Sequence, residues 1–106
     1  MLNLENLHQI TDGDDELLNE LIKIFFQTTR EDISHLEIAV KAHKLSDVTD
    51  LAHRIKGGAA IVGATQLKRL AEDLEQQRSK TPTLSRSLLS DIQQNFRAIE
   101  DLYPGF

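Results

Sequence analysis

The chain has 106 residues, a formal net charge of −5, 40% hydrophobic and 27% charged residues, and no cysteine. This length predicts a single domain over residues 1–106, and the composition is that of a globular chain rather than a disordered one. The negative charge argues against a general binder of nucleic acid or anionic membrane. The lack of cysteine excludes disulfides, thiol nucleophiles and cysteine-based zinc sites, and it fits a cytoplasmic protein.

Helical periodicity dominates the sequence, and strand signals are almost absent. A short opening helix is predicted from the spacing of Leu4, Leu7 and Ile10. The segment TDGDDE follows as a turn whose acidic residues suit a helix N-terminus. From Asp14 a long amphipathic helix is predicted to run to about Val40. No segment predicts a signal peptide or an apolar span of the roughly 20 residues that a membrane helix needs.

The next helix is predicted over residues 47–62, with Ser46 as its N-cap. Gly63 is expected to end that helix in a left-handed conformation, because glycine adopts positive φ without steric cost. Thr65 is the expected cap of the helix that follows.

The segment RSKTPTLS is the clearest loop, and within it Thr81 and Pro82 have the pattern of an N-cap and a first helical residue. A last helix is predicted to run to Leu102, before Pro104 and Gly105. Four amphipathic helices with short connections predict an all-α fold: an antiparallel four-helix bundle with a short additional N-terminal helix.

A helical wheel of residues 47–62 places one histidine away from the predicted core. The core stripe lies within about 60° of Val48, and His53 falls near 140° on the same wheel. The stripe is formed by Val48, Leu51, Ala52, Ile55, Ala59 and Val62. His53 is therefore expected to be exposed, with Lys56, Gly57 and Ala60 as its neighbours one to two turns onward.

Two adjacent glycines follow this histidine inside the helix, where each costs about 0.5–1 kcal/mol relative to alanine. Gly57 lies on the exposed face, and the absence of a side chain there would let a partner approach closely. Gly58 lies at the edge of the core stripe, where we expect it to let another helix pack tightly.

An exposed neutral imidazole is a good nucleophile near physiological pH. A cation three residues onward, Lys56, would stabilise an anion carried by that imidazole. Small neighbours would admit a second protein. Phosphoryl transfer through His53 fits all three features.

The segment from His53 to Ala59, HRIKGGA, followed by Val62-Gly63-Ala64, resembles the histidine-containing phosphotransfer (HPt) domain of multistep phosphorelays. The flanking leucines and alanines also fit, and the resemblance covers the whole chain. It implies that the chain comes from a bacterial hybrid sensor histidine kinase, in which such domains commonly form the C-terminus, although they also occur alone.

The resemblance further implies that His53 accepts a phosphoryl group from an aspartate of a response-regulator receiver domain and passes it to another receiver. Lys56 would stabilise the phosphate, and Gly57 would leave room for the receiver, with Arg54 and Ala60 beside it. Such domains usually have no catalysis of their own, and the Mg²⁺ belongs to the receiver. Some relatives have a glutamine facing the histidine, and here Glu75 takes that place. A carboxylate would repel a nearby phosphate, so no role follows for it.

Two alternatives have a basis in the residues. Arg54, Lys56, Lys68 and Arg69 could form a nucleic-acid patch on a helix-turn-helix element, but the net charge and the neighbouring acidic residues oppose this. A helical adaptor without chemistry is the other alternative.

The segment GGAAIVGAT does not form a phosphate loop, because Ala64 stands where the lysine should be and no strand precedes it. No metal site is expected, since His35, His43 and His53 lack the spacing of helical zinc ligands. The isolated domain is expected to be monomeric, with no cofactor, no nucleic-acid partner and no membrane insertion.

Overall fold

The computed structural model describes residues 2–76 and 81–106, and every regular element in these ranges is a helix. The all-α prediction is confirmed. The elements are α1 (Leu4–Thr11), α2 (Asp15–Lys41), α3 (Leu45–Val62), α4 (Thr65–Gln76) and α5 (Pro82–Leu102). The first three residues of the predicted loop RSKTPTLS lie outside the described residues. The rest of it is Thr81 at the N-cap and the start of α5 at Pro82, as the pattern of these two residues predicts.

Helices α2 to α5 form a bundle in which each helix packs against its neighbours in chain order, and α5 closes the ring against α2. The turns between α2 and α3 and between α3 and α4 are short, so these neighbours run antiparallel. The short helix α1 packs against α2 and α3. None of the helices in the described ranges is long and apolar enough to cross a membrane.

Side chains cap the N-termini of the first two helices, an amide in α1 and a carboxylate in α2. The Asp14 carboxylate accepts a hydrogen bond from the backbone N–H of Leu17 at 3.0 Å, and the Asn3 side chain accepts one from Glu5 N–H at 3.1 Å. These caps satisfy backbone donors that have no partner inside the helix. The expected caps of the next two helices are wrong. Helix α3 begins at Leu45, before Ser46, and Thr65 is itself the first residue of α4.

The face of α3 that packs into the core is the face predicted from the helical wheel. Its buried residues are Val48, Ala52, Ile55, Ala59 and Val62, and Leu51 packs half-buried at the edge of the core. Gly63 ends the helix with φ +71°, as expected. The N-terminal segment crosses this turn closely, because Asn3 N–H donates to the Val62 carbonyl at 3.0 Å.

Aromatic rings fill the core between α2 and α5. Phe25, Phe26 and Phe96 are buried and lie in mutual contact, with centroids 5.3 to 6.1 Å apart. Phe106 stacks on Phe26 from the C-terminal segment. In α1, Leu7 is fully buried, but Ile10 is 57% exposed. Only some of the apolar residues that predicted this helix therefore face the core.

Candidate functional site

His53 lies near the middle of α3 on the surface of the bundle. Its side chain is 67% exposed, whereas Ala52 and Ile55 on either side are fully buried. These two residues set the rotation of the helix about its axis, because an α-helix turns by about 100° per residue. The imidazole therefore projects outward, as the wheel predicts.

Helix α4 brings a carboxylate to the same imidazole. Glu75 Oε2 lies 2.5 Å from His53 Nδ1, within hydrogen-bonding distance. The two residues are 22 positions apart in the chain, and the antiparallel packing of α3 against α4 brings them together. Because Nδ1 faces Glu75, the other ring nitrogen, Nε2, lies on the opposite side of the ring.

Lys56 completes a three-residue cluster with His53 and Glu75. Its ammonium donates to Glu75 Oε1 at 2.6 Å. The lysine side chain is only 26% exposed and that of Glu75 18% exposed, so Lys56 is less open to solvent than the wheel predicts. The hydrogen bond from Lys56 lowers the pKa of Glu75 below its ordinary value; the hydrogen bond to His53 acts in the same direction, and burial opposes both. Glu75 is therefore ionised at neutral pH.

The surface one turn after His53 is open. A Cβ built on Gly57 meets no atom within 4 Å, and Ala60 beyond it is exposed. At Gly58, a Cβ would lie 3.7 Å from the Phe25 ring and 3.8 Å from Thr29 Oγ1, which are ordinary contact distances. The expectation that Gly58 relieves tight packing is therefore wrong, because an alanine fits there.

Arg54 points to α2 and forms an ion pair with Asp32. Its guanidinium lies 3.2 Å from Asp32 Oδ1, and the Asp32 side chain is 4% exposed against 61% for Arg54. Burial raises the pKa of Asp32, although the nearby arginine opposes the shift. This ion pair was not predicted from the sequence. The available signal was an aspartate inside the apolar stripe of α2, between Thr29 and Ile33.

The other three histidines, His8, His35 and His43, are exposed. Across residues 2–76 and 81–106, no group of three or more His, Asp or Glu side chains is arranged to hold a metal ion.

Comparison with known proteins relates the chain to one family and to one kind of sensor protein. The profile of the Hpt domain family matches residues 20–102. The virulence sensor protein BvgS of Bordetella bronchiseptica is 34% identical over 74 residues, which cover 67% of this chain and 6% of that protein. BvgS of Bordetella parapertussis gives the same values, and BvgS of Bordetella pertussis is 35% identical over 63 residues. No solved structure gives a significant match.

The family profile covers most of the chain, and the chain therefore belongs to the Hpt domain family, the phosphotransfer domains of two-component phosphorelays. It spans about 6% of the length of the sensor proteins that it matches. Membership in this family favours phosphotransfer over the nucleic-acid-binding and adaptor alternatives.

Proposed function

We propose that His53 is the phosphoacceptor of this domain, taking a phosphoryl group from the aspartate of one receiver domain and passing it to another. The observation that carries this proposal is the position of the ring. His53 is 67% exposed, Nδ1 is engaged by Glu75 at 2.5 Å, and Nε2 lies on the far side of the ring, where an in-line attack on phosphorus has room.

The neighbours of His53 support specific roles. Lys56 stabilises the phosphoryl group, because its ammonium carries three N–H donors and only one is needed for the 2.6 Å hydrogen bond to Glu75. Gly57 and Ala60 form a low surface on which a receiver can approach the imidazole. Arg54, held by Asp32 at 3.2 Å, offers its remaining donors to acidic groups of the partner.

The domain acts as a phosphocarrier without catalysis of its own. Receiver domains supply the aspartate and the Mg²⁺ of the transfer reaction, and this chain needs no cofactor and binds no ATP. We infer that residues 1–106 form one domain of a bacterial hybrid sensor histidine kinase and that it works in the cytoplasm. This fits the likeness to sensor proteins of which the chain spans about 6%. The isolated domain is monomeric and binds neither nucleic acid nor a membrane.

Phosphorylation of the purified chain tests the proposal. The chain is incubated with phosphoramidate, a small phosphodonor, and separately with receiver domains phosphorylated at their aspartate. Intact mass and the acid-labile, alkali-stable character of the label report phosphohistidine. His53→Gln is expected to fold normally and to take up no label, whereas His35→Gln, which alters an exposed histidine of α2, is expected to label as the parent does. Label that persists in His53→Gln would refute the assignment.

A further inference from the structure

We propose that Asp32 is a positioning residue that holds Arg54 at one end of a groove between α2 and α3, where a receiver domain places a carboxylate against the arginine. This inference rests on the proposed function, since it specifies how the partner of His53 is recognised. Arg54 follows His53 directly in α3, so a group that binds the guanidinium lies beside the imidazole. Asp32 acts through Arg54 and does not itself touch the partner.

Asp32 is a carboxylate at a position where packing alone would favour an apolar side chain. It lies in the buried stripe of α2 between Thr29 and Ile33, and only 3% of the residue is exposed. Burial of a carboxylate is unfavourable, and replacement of a buried ion pair by apolar residues is often neutral or stabilising. The ion pair of Asp32 is with Arg54, whose Nη2 lies 3.2 Å from Oδ1. We therefore attribute the presence of this carboxylate to its effect on the arginine.

Arg54 has the properties of a binding group that is fixed in advance. Its side chain is 61% exposed, although its guanidinium is paired with a buried carboxylate. A guanidinium has five N–H donors, so an ion pair through Nη2 leaves donors for a second carboxylate. A mobile arginine loses rotamer entropy when it binds, and an arginine that is already held loses less. Asp32 thereby lowers the entropic cost of the contact between Arg54 and the partner.

The charges around the groove make the position of Arg54 decisive. The chain has a net charge of −5, so its overall field does not attract an acidic partner. Two exposed carboxylates, Asp47 and Asp50, line the same groove, and Lys44 lies at its far end. A uniformly acidic segment is therefore repelled in the middle of the groove, whereas a segment with one carboxylate beside His53 meets the arginine.

The groove also offers the partner an apolar surface next to the arginine. It has a volume of about 360 Å³, and its apolar lining consists of Ile38, Ala39 and Leu51. Ala39 is buried and Leu51 is half-buried, but Ile38 is 64% exposed. The stretch of α3 from Lys44 to Arg54 spans about 15 Å, at 1.5 Å per residue. The occupant is therefore an amphipathic element of the receiver surface, with an aliphatic side chain over Ile38 and an acidic residue at the end near His53.

Asp32→Asn tests the positioning role, because other roles of this carboxylate predict different results. If Asp32 served packing alone, receiver binding would not change. If it acted only as a charge, its loss would make the site more positive and would tighten the binding of an acidic partner. The positioning role predicts weaker binding: the half-saturating concentration of a phosphorylated receiver should rise by about three- to tenfold, with the maximal labelling rate close to that of the parent chain. Labelling by phosphoramidate, which needs no docking, should not change.

Arg54→Gln shows whether Asp32 acts through the arginine. This substitution should raise the half-saturating concentration at least tenfold, in the order expected for a lost charge pair, and adding Asp32→Asn should have no further effect. Glu37→Gln is the matched control, because Glu37 also lies on α2 and pairs with Lys41 at 3.2 Å, on the side of that helix that faces α5. It is expected to bind the receiver as the parent chain does.

Ile38→Ala tests whether the partner occupies the groove. The loss of an aliphatic contact should weaken receiver binding by about fivefold, with phosphoramidate labelling unchanged. Leu102→Ala is the control for this substitution, because Leu102 is 57% exposed at the end of α5, away from the groove. It should leave receiver binding as in the parent chain.

Equal or tighter binding of the receiver to Asp32→Asn would overturn the proposal, and so would an unchanged affinity in Ile38→Ala. Circular dichroism confirms that each variant is folded. Calorimetry with the unphosphorylated receiver measures the same affinities without any phosphate. It therefore separates a failure of this docking arrangement from a failure of His53 as the acceptor, which would leave the parent chain unlabelled by both donors.

Discussion

Substitutions of Gly57 should separate the access of a receiver domain to His53 from the stability of the fold, because the two should change in opposite directions. A Cβ at this position meets no atom within 4 Å, so Gly57→Ala gains helix propensity without a clash. The expected gain is up to about 1 kcal/mol in the free energy of unfolding. For a domain of this size that corresponds to a rise of roughly 4–8 °C in Tm.

A larger side chain at the same position should block the partner. Gly57→Leu is expected to fold, because position 57 faces solvent, but its side chain would stand one turn from His53 on the surface proposed for docking. Labelling by a phosphorylated receiver should fall at least tenfold, whereas labelling by phosphoramidate should change little, since that donor needs far less room. The two rates are measured on the same protein preparation, with thermal unfolding followed by circular dichroism.

Gly58→Ala is the matched control for this experiment. Its Cβ would point toward α2 and meet the Phe25 ring at 3.7 Å, so it should gain helix propensity without altering the exposed face. Receiver-dependent labelling is expected to stay at the parent level. If Gly57→Leu lost both kinds of labelling equally, or if its Tm collapsed, position 57 would be needed for packing, and the docking interpretation would be refuted.

Three further variants test the packing around the site. Arg54→Gln leaves the buried Asp32 carboxylate without its cation, so the free energy of unfolding at neutral pH should fall by about 1–2 kcal/mol, measured by urea denaturation. Because burial raises the pKa of Asp32, its proton is held more tightly in the folded chain, and stability is lost as pH rises through that pKa. Asp32→Asn should therefore raise Tm at neutral pH and leave it nearly unchanged at acid pH; a lower Tm at neutral pH would show that the ion pair outweighs the burial cost. Gly63→Ala should lower the free energy of unfolding by roughly 2–3 kcal/mol or more, since φ is +71° and the new Cβ would lie 2.4 Å from Asn3 Cβ; an unchanged Tm would mean that the N-terminal segment does not hold that turn.

Features that depend on residues close together in the chain could be predicted from the sequence. The apolar spacing in α3 identified which residues are buried, and the same wheel placed His53 and Gly57 on the outside. Gly63 was predicted as the left-handed end of α3 because glycine at the end of an apolar period has a local steric reason to be there. Helix periodicity and backbone sterics depend on residues only a few positions apart, so their effects can be predicted from a single sequence.

The partners of the site residues were decided by tertiary structure. Glu75 is hydrogen-bonded to His53 and to Lys56, which lie 22 and 19 positions away in the chain. Asp32 forms an ion pair with Arg54 from another helix. Such pairs depend on how far two packed helices slide and rotate relative to each other, which the periodicity of either helix leaves open. A shift of one residue along α4 would turn the carboxylate by about 100° away from α3. The sequence therefore predicted the exposed histidine, whereas the packing of α3 against α4 decided which carboxylate lies at hydrogen-bonding distance from its ring.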